Sequence, residues 1–286
     1  MSLEATTNAI EDYLIDSISF KLQPGASYVT DRRSVTFHPS GSNIYKPVQG
    51  TKVIKITLTG DQWLDPSTVQ LQFDLNNAKS VAGQNLYLLG GPHTFFRRMR
   101  LLCGGTIVED IDQYNRIHEM FHILTNRHNR DLDDVTGFEM RWDEEGFYND
   151  LVLGGGVLTP AAWENTHKGY IPPDKKKTVC FKLLSGLLNQ PKWIPLRYAP
   201  ITLELELVNA FTDITVEHHS IPNQATPPVA QAIWSDANSS NEWYIDNVQL
   251  KCDLCTLDSA LDNSYAEHML SGKSLPINYN TYLSQI

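Results

Sequence analysis

The sequence predicts an all-β protein, an antiparallel eight-stranded jelly-roll sandwich with two short helices and long loop excursions. Three observations lead there. Apolar and polar residues alternate with a period of two in one segment after another. Turns rich in Gly, Pro and Asn separate those segments, and helical periodicity is confined to two short stretches.

Taken in order, residues 1–30 show no strand pattern and are expected to form an N-terminal arm; the roll is expected over 31–256. SVTF (34–37) is the first strand candidate, closed by HPSGSN. In TKVIKITLT, Ile54, Ile56 and Leu58 oppose Lys55, Thr57 and Thr59. In STVQLQFDL, after the turn-rich GDQWLDP, Val69, Leu71, Phe73 and Leu75 oppose Gln70, Gln72 and Asp74. ITLELELV repeats the pattern with Ile201, Leu203, Leu205 and Leu207 against Thr202, Glu204 and Glu206. One buried face and one wet face per strand is the antiparallel signature. FFRRMRLLC (95–103), TVCFKLL (178–184), DITVE (213–217) and WYIDNVQLKCDLC (243–255) bring the count to eight, with GGP, GGG, PNQATPP and DANSSN as punctuation. Tyr114, Ile117, Phe121 and Leu124 recur at helical spacing after Asp112, a candidate cap. Asp258 to Leu270 reads as a second helix, capped by Asp258 and stopped by Gly272. Residues 126–177 are too long for an ordinary connection and are expected to be an elaborated excursion. SLPINYNTYLSQI then alternates Ile277, Tyr279, Thr281 and Leu283 as another strand would, and 257–286 is expected to form a helix and a connector leading outside the sandwich.

A chain of 286 residues with 41% hydrophobic and 20% charged residues has enough apolar material for a large core. Its net charge of −10 opposes a surface that coats nucleic acid, so no sequence-specific nucleic-acid binding is expected. The first 30 residues offer neither a basic n-region nor an apolar h-region, and no apolar run reaches the roughly 20 residues of a membrane span. No secretory signal and no membrane span are therefore expected. Four cysteines, at 103, 180, 252 and 255, are too sparse for a disulfide framework.

HEMFHILTNRH (118–128) raises an enzymatic alternative. His118, Glu119 and His122 spell H-E-x-x-H, and His128 stands where three-histidine zinc peptidases keep their third ligand. On a helix the two i, i+4 histidines share a face and the glutamate can serve as general base. Against this, such enzymes place Gly three residues after the second histidine, where a left-handed turn is needed, and this chain has β-branched Thr125. The stripe Tyr114, Ile117, Phe121, Leu124 also lies about 100° away from the histidines, which predicts that they flank the buried face. We therefore read HEMFH as a surface helix and expect no catalytic residues, no metal and no cofactor. Cys252 and Cys255 form C-x-x-C without a second pair, and are expected to be buried or edge thiols. Arg97, Arg98 and Arg100 crowd one strand and are expected to pair with acids such as Glu109 and Asp110. GGGVLTP lacks the Lys-Ser/Thr ending of a phosphate-binding loop, and Asp143, Glu144 and Glu145 read as a solvated loop.

The succession PSGSNIYKP (39–47), GDQWLDPSTVQLQFDLNN (60–77) and FFRRMRLLCGGTIVEDIDQYNRIHEMF (95–121) resembles the first jelly roll of double jelly-roll major capsid proteins, especially those of Polinton-like viruses, adintoviruses and virophages. The likeness returns at YIDNVQLKCDLCTLDSALDNSYAEHMLSGKSLPINYNTY, and GGTIVEDIDQYNRIHEM is its most specific phrase. The resemblance implies a virion protein made in the cytoplasm or nucleus of a host cell. It implies two upright rolls per chain, homotrimers as pseudo-hexagonal capsomers, and an icosahedral shell around double-stranded DNA. Neighbouring capsomers and vertex and minor capsid proteins would be the partners, and residues 275–286 would lead toward a second roll. Trp142, Phe147, Tyr148, Trp163 and Trp234 are the candidate interface residues, because loops this rich in aromatic rings usually mark contacts. The competing readings are a single jelly-roll vertex (penton) protein and a jelly-roll module that binds carbohydrate or another ligand.

Overall fold

The computed structural model describes residues 29–81, 84–88, 90–125, 171–216 and 240–284. The chain divides into two compact units, Arg33–Leu254 with Ile277–Ile286, and Met1–Arg32 with Cys255–Pro276. Its strands are β1 (Val29–Phe37), β2 (Ile44–Tyr45), β3 (Val53–Leu58), β4 (Trp63–Asn77), β5 (Tyr87–Leu88), β6 (Phe96–Cys103), β7 (Thr106–Asp112), β8 (Lys176–Lys182), β9 (Ile194–Pro195), β10 (Ile201–Leu207), β11 (Thr215–Val216) and β12 (Trp243–Leu257). Among the described residues the α-helices are α1 (Tyr114–Leu124), α2 (Gly186–Asn189) and α3 (Ser259–Leu270).

Eight of the strands carry the fold in two sheets of four. One runs β1-β12-β4-β8, extended by β2 against β12 and β9 against β4; the other runs β3-β10-β6-β7. Sequence neighbours thus sit in opposite sheets for much of the chain, which is the jelly-roll winding. The periodic segments behave as their patterns require: Ile54, Ile56 and Leu58, then Val69, Leu71, Phe73 and Leu75, then Ile201, Leu203, Leu205 and Leu207 are all buried. Phe73 of β4 meets Phe95, Phe96 of β6 and Phe181 of β8 edge-on at centroid distances of 5.9, 5.8 and 6.3 Å, tying the two sheets at the middle of the core. Trp243 packs edge-on against Phe95 at 5.0 Å and donates its indole N–H to the Phe211 carbonyl.

The wet face of β4 is drier than its alternation suggests. Asp74 is 2% exposed and receives Lys176 Nζ, Thr178 Oγ1 and Asn247 Nδ2, while Asn76 donates to Asp246. Burial alone would raise the Asp74 pKa, but those three hydrogen bonds and the Lys176 charge hold it below the usual carboxylate value. On the edge that β4 shares with β9 and β8, Pro66 falls between the stretches they pair with, Trp63–Leu64 and Gln70–Asn76. Asp65 Oδ1 accepts from the amide and hydroxyl of Ser67 there, and Thr68 Oγ1 takes the Asp253 N–H of β12.

Two expectations about strands are corrected. The predicted strand 213–217 is a 3-10 turn, Phe211–Asp213, followed by the two-residue β11, because the Asp213 carboxylate captures the Asn209 and Ala210 amides. The eighth long strand is β7, which joins β6 through Gly104 and Gly105, both at positive φ (56° and 86°), the requirement of a type I′ hairpin. Its pattern was obscured by a register shift opposite Leu101/Leu102, and by burial of Glu109 while Ile107 stays 50% exposed.

In the unit containing Cys255–Pro276, α3 begins as expected, with Asp258 Oδ2 accepting the Ala260 N–H, and ends at Gly272 with φ 78°. The segment 277–284 does not leave the sandwich as expected. It forms no strand, and Ile277, Tyr279 and Tyr282 pack against the core. Tyr279 Oη donates to the Val108 carbonyl and Ser284 Oγ to that of Asp112, so the segment straps the edge strand β7. The alternation fails after Tyr279, where Tyr282 turns inward to the Phe121 ring (5.0 Å) and Leu283 is 84% exposed.

Candidate functional site

The one stretch with a chemical motif is α1, and the structure places its residues differently from the helical-wheel reading. β7 turns into α1 through Gln113 in the left-handed conformation (φ 52°), with no side-chain cap, so Asp112 is not the cap. Tyr114 is fully buried and its hydroxyl accepts the Leu184 N–H at 2.9 Å. Leu124, by contrast, is 74% exposed and Phe121 38%. The face that meets the sandwich is Tyr114, Ile117 and His118; the second half of the helix turns Met120, Ile123 and Leu124 outward.

The reason is His93, which the sequence did not connect to α1. It lies in the 3-10 turn Pro92–Phe95 before β6, and its ring stacks on His118 at 4.0 Å with planes 15° apart. His93 Nε2 is hydrogen-bonded to Glu119 Oε2 at 2.6 Å, and the His122 ring is 5.8 Å from that of His93. Tyr114 and Phe181 close over His118 at 5.6 and 6.3 Å. Burial, with the neighbouring His93 imidazole second, pushes the His118 pKa down to about 3, so the ring is neutral in any ordinary buffer. The ring hydrogen-bonds the Lys182 backbone of β8, and its buried Nδ1 has no partner.

The stacked pair His93 and His118 does not suit a shared metal ion. An imidazole ligates through a lone pair in its ring plane at about 2 Å from the metal. Two nearly parallel planes 4.0 Å apart cannot both aim at one ion, so His93 and His118 are not joint ligands. Glu119 is engaged by His93, and Thr125 ends the helix in extended conformation (φ −71°). Among the described residues no group of three His, Cys, Asp or Glu is arranged to hold a metal. His128 lies outside the described residues, as do Trp142, Phe147, Tyr148, Trp163 and Trp234.

The arginines of β6 form a charge lattice on the outer face of the second sheet. Arg98 makes a two-pronged contact with Asp110 at 2.8 and 2.6 Å, Arg100 pairs with Glu204, and Arg97 lies 3.7 Å from Asp112. Glu109, expected among these partners, points inward. Its carboxylate accepts the Gly186 N–H at 2.9 Å and the Ser185 hydroxyl, and thereby caps α2. The Asn280 backbone crosses α2 so closely that a Cβ on Gly186 would lie 1.8 Å from its carbonyl oxygen. Cys252 and Cys255 are buried, and burial pushes the Cys252 thiol up to about 12. No helix among the described residues is long and apolar enough to cross a membrane.

Neither a protein-family model nor a curated protein matches the sequence. Solved structures do. The chain is similar to one in the cryo-EM structure of the Sputnik virophage, with a TM-score of 0.50 and 10% identity, covering 84% of this chain and 51% of that one. Two further matches are the Faustovirus major capsid protein (TM-score 0.45, 8% identity, 89% and 59% covered) and PBCV-1 VP54 fitted into a reconstruction of Sputnik (0.43, 13%, 87% and 47%). The chain spans about half the length of the structures it matches. The Sputnik likeness is one of fold, and that fold is the jelly roll which the sequence's resemblance to double jelly-roll capsid proteins implies.

Proposed function

We propose that the chain is a structural capsid protein whose roll assembles in threes into pseudo-hexagonal capsomers of an icosahedral, double-stranded DNA virus. The observation that supports this reading is the four-on-four jelly roll shared with a Sputnik virophage chain over 84% of this chain. The roll at 31–256 is then one of the two that a capsomer subunit contributes, and the protein acts by packing rather than by catalysis. Met120, Ile123 and Leu124, exposed on successive turns of α1, are apolar surface of the kind that subunit contacts cover. The aromatic loops containing Trp142, Phe147, Tyr148, Trp163 and Trp234 are the proposed trimer contacts. Light scattering on the purified chain should give three times the chain mass, and removing residues 140–165 should leave folded monomers. Trimers that survive the deletion would put the interface elsewhere, and a chain that stays monomeric at every concentration would remove the capsomer reading.

A further inference from the structure

We propose that α1 is an acid-operated latch, closed while the His118 imidazole, stacked on His93, is uncharged and released from the sandwich when His118 takes up a proton. The capsid reading does not require it and it does not rest on that reading. The geometry holds the His118 ring away from water and from any bonded acid. His93 is 2% exposed, the two rings lie 4.0 Å apart, and Tyr114 and Phe181 close over His118. The groups that face the pair come from three elements. The turn before β6 supplies His93 itself; α1 supplies Tyr114, Glu119 and His122; β8 supplies Phe181 and the Lys182 backbone. Among these, Glu119 is the single acid, and it bonds to His93. A proton on His118 therefore finds no carboxylate hydrogen-bonded to it among the described residues.

The direction of the pH effect follows. His118 falls from 6.5 to about 3 on docking, so the released helix binds a proton that the docked helix refuses throughout that interval. The latch is fully closed above pH 6.5 and weakens steadily as the pH falls below it. Release would take with it the hydrogen bond at the Lys182 backbone and the one between Tyr114 and the Leu184 amide, which together cover the end of β8.

Amide hydrogen exchange on the full-length chain tests this, with β10 in the middle of its sheet as the internal reference. After correction for intrinsic rates, protection of residues 114–124 relative to β10 should drop about twenty-five-fold between pH 7 and pH 5, the effect of one proton on a site that titrates at 6.5 when released. His118→Phe keeps an aromatic ring in the stack and should abolish the drop. Unchanged protection at the two pH values, or the same drop in the His118→Phe protein, overturns the proposal. If that variant does not fold, the His118 ring resonance of the wild-type chain decides. It should not titrate between pH 7 and 5, and a midpoint near 6.5 in the folded protein would also overturn the latch.

Discussion

Glu109 occupies a position where alternation along β7 calls for an apolar side chain, and the structure shows why an acid is held there. It satisfies the hydroxyl and amide at the start of α2, groups that burial would otherwise leave unpaired. Glu109→Ala should lower the free energy of unfolding in urea by about 3 kcal/mol, since the orphaned donors lose both carboxylate and water. Gly186→Ala should act through the strap, because its methyl and the Asn280 carbonyl cannot occupy the same space. The expected outcome is faster carboxypeptidase trimming of the last ten residues with the sandwich intact; trimming at the wild-type rate would contradict the crossing. Cys252, with its thiol pushed up to about 12 by burial, should resist a thiol reagent at pH 8 until the protein unfolds. A buried or edge thiol at Cys252 is expected from the sequence, whereas the environments of Glu109 and Gly186 are not legible in it. The partners of Glu109 lie 76 and 77 residues away, and no local pattern marks a carboxylate for a distant helix.

Strands with clean alternation, β3, β4 and β10, were readable because a period of two maps directly onto the two faces of a sheet. β7 was not, since a register shift and one buried acid erase that period over seven residues. DITVE failed the other way: its alternation is real, but Asp213 diverts the backbone into a turn first. The α1 helix was found by its periodicity, yet its buried face was misassigned. A helical wheel ranks faces by hydrophobicity, whereas this helix docks where Tyr114 can reach the Leu184 amide and where His93 offers a ring to stack on. Tyr114→Phe should accordingly cost about 1 kcal/mol, by stranding that amide while keeping the ring. A loss indistinguishable from zero would show that water replaces the hydroxyl.

At the scale of the whole molecule, the strap 277–284 closes the open side of β7 by satisfying two of its carbonyls. A chain truncated after Pro276 should keep its β-sheet circular-dichroism signal, melt earlier, and associate with rising concentration as the bared edge finds other strands. The same melting curve and mass as the full chain would mean that the strap contributes nothing. Among the described residues, what the sequence alone determined is the class of fold, seven of the eight long strands, and both long helices. Those features rest on periodicity and capping, which are local and written in consecutive residues. What only the tertiary structure decided is which residues meet: His93 with the HEMFH helix, Glu109 with α2, and the C-terminal strap with β7. Each of those contacts depends on how a jelly roll folds distant segments onto one another. Burial then gives them their chemistry, because a neutral His118 and a capping carboxylate have their properties only where water is excluded.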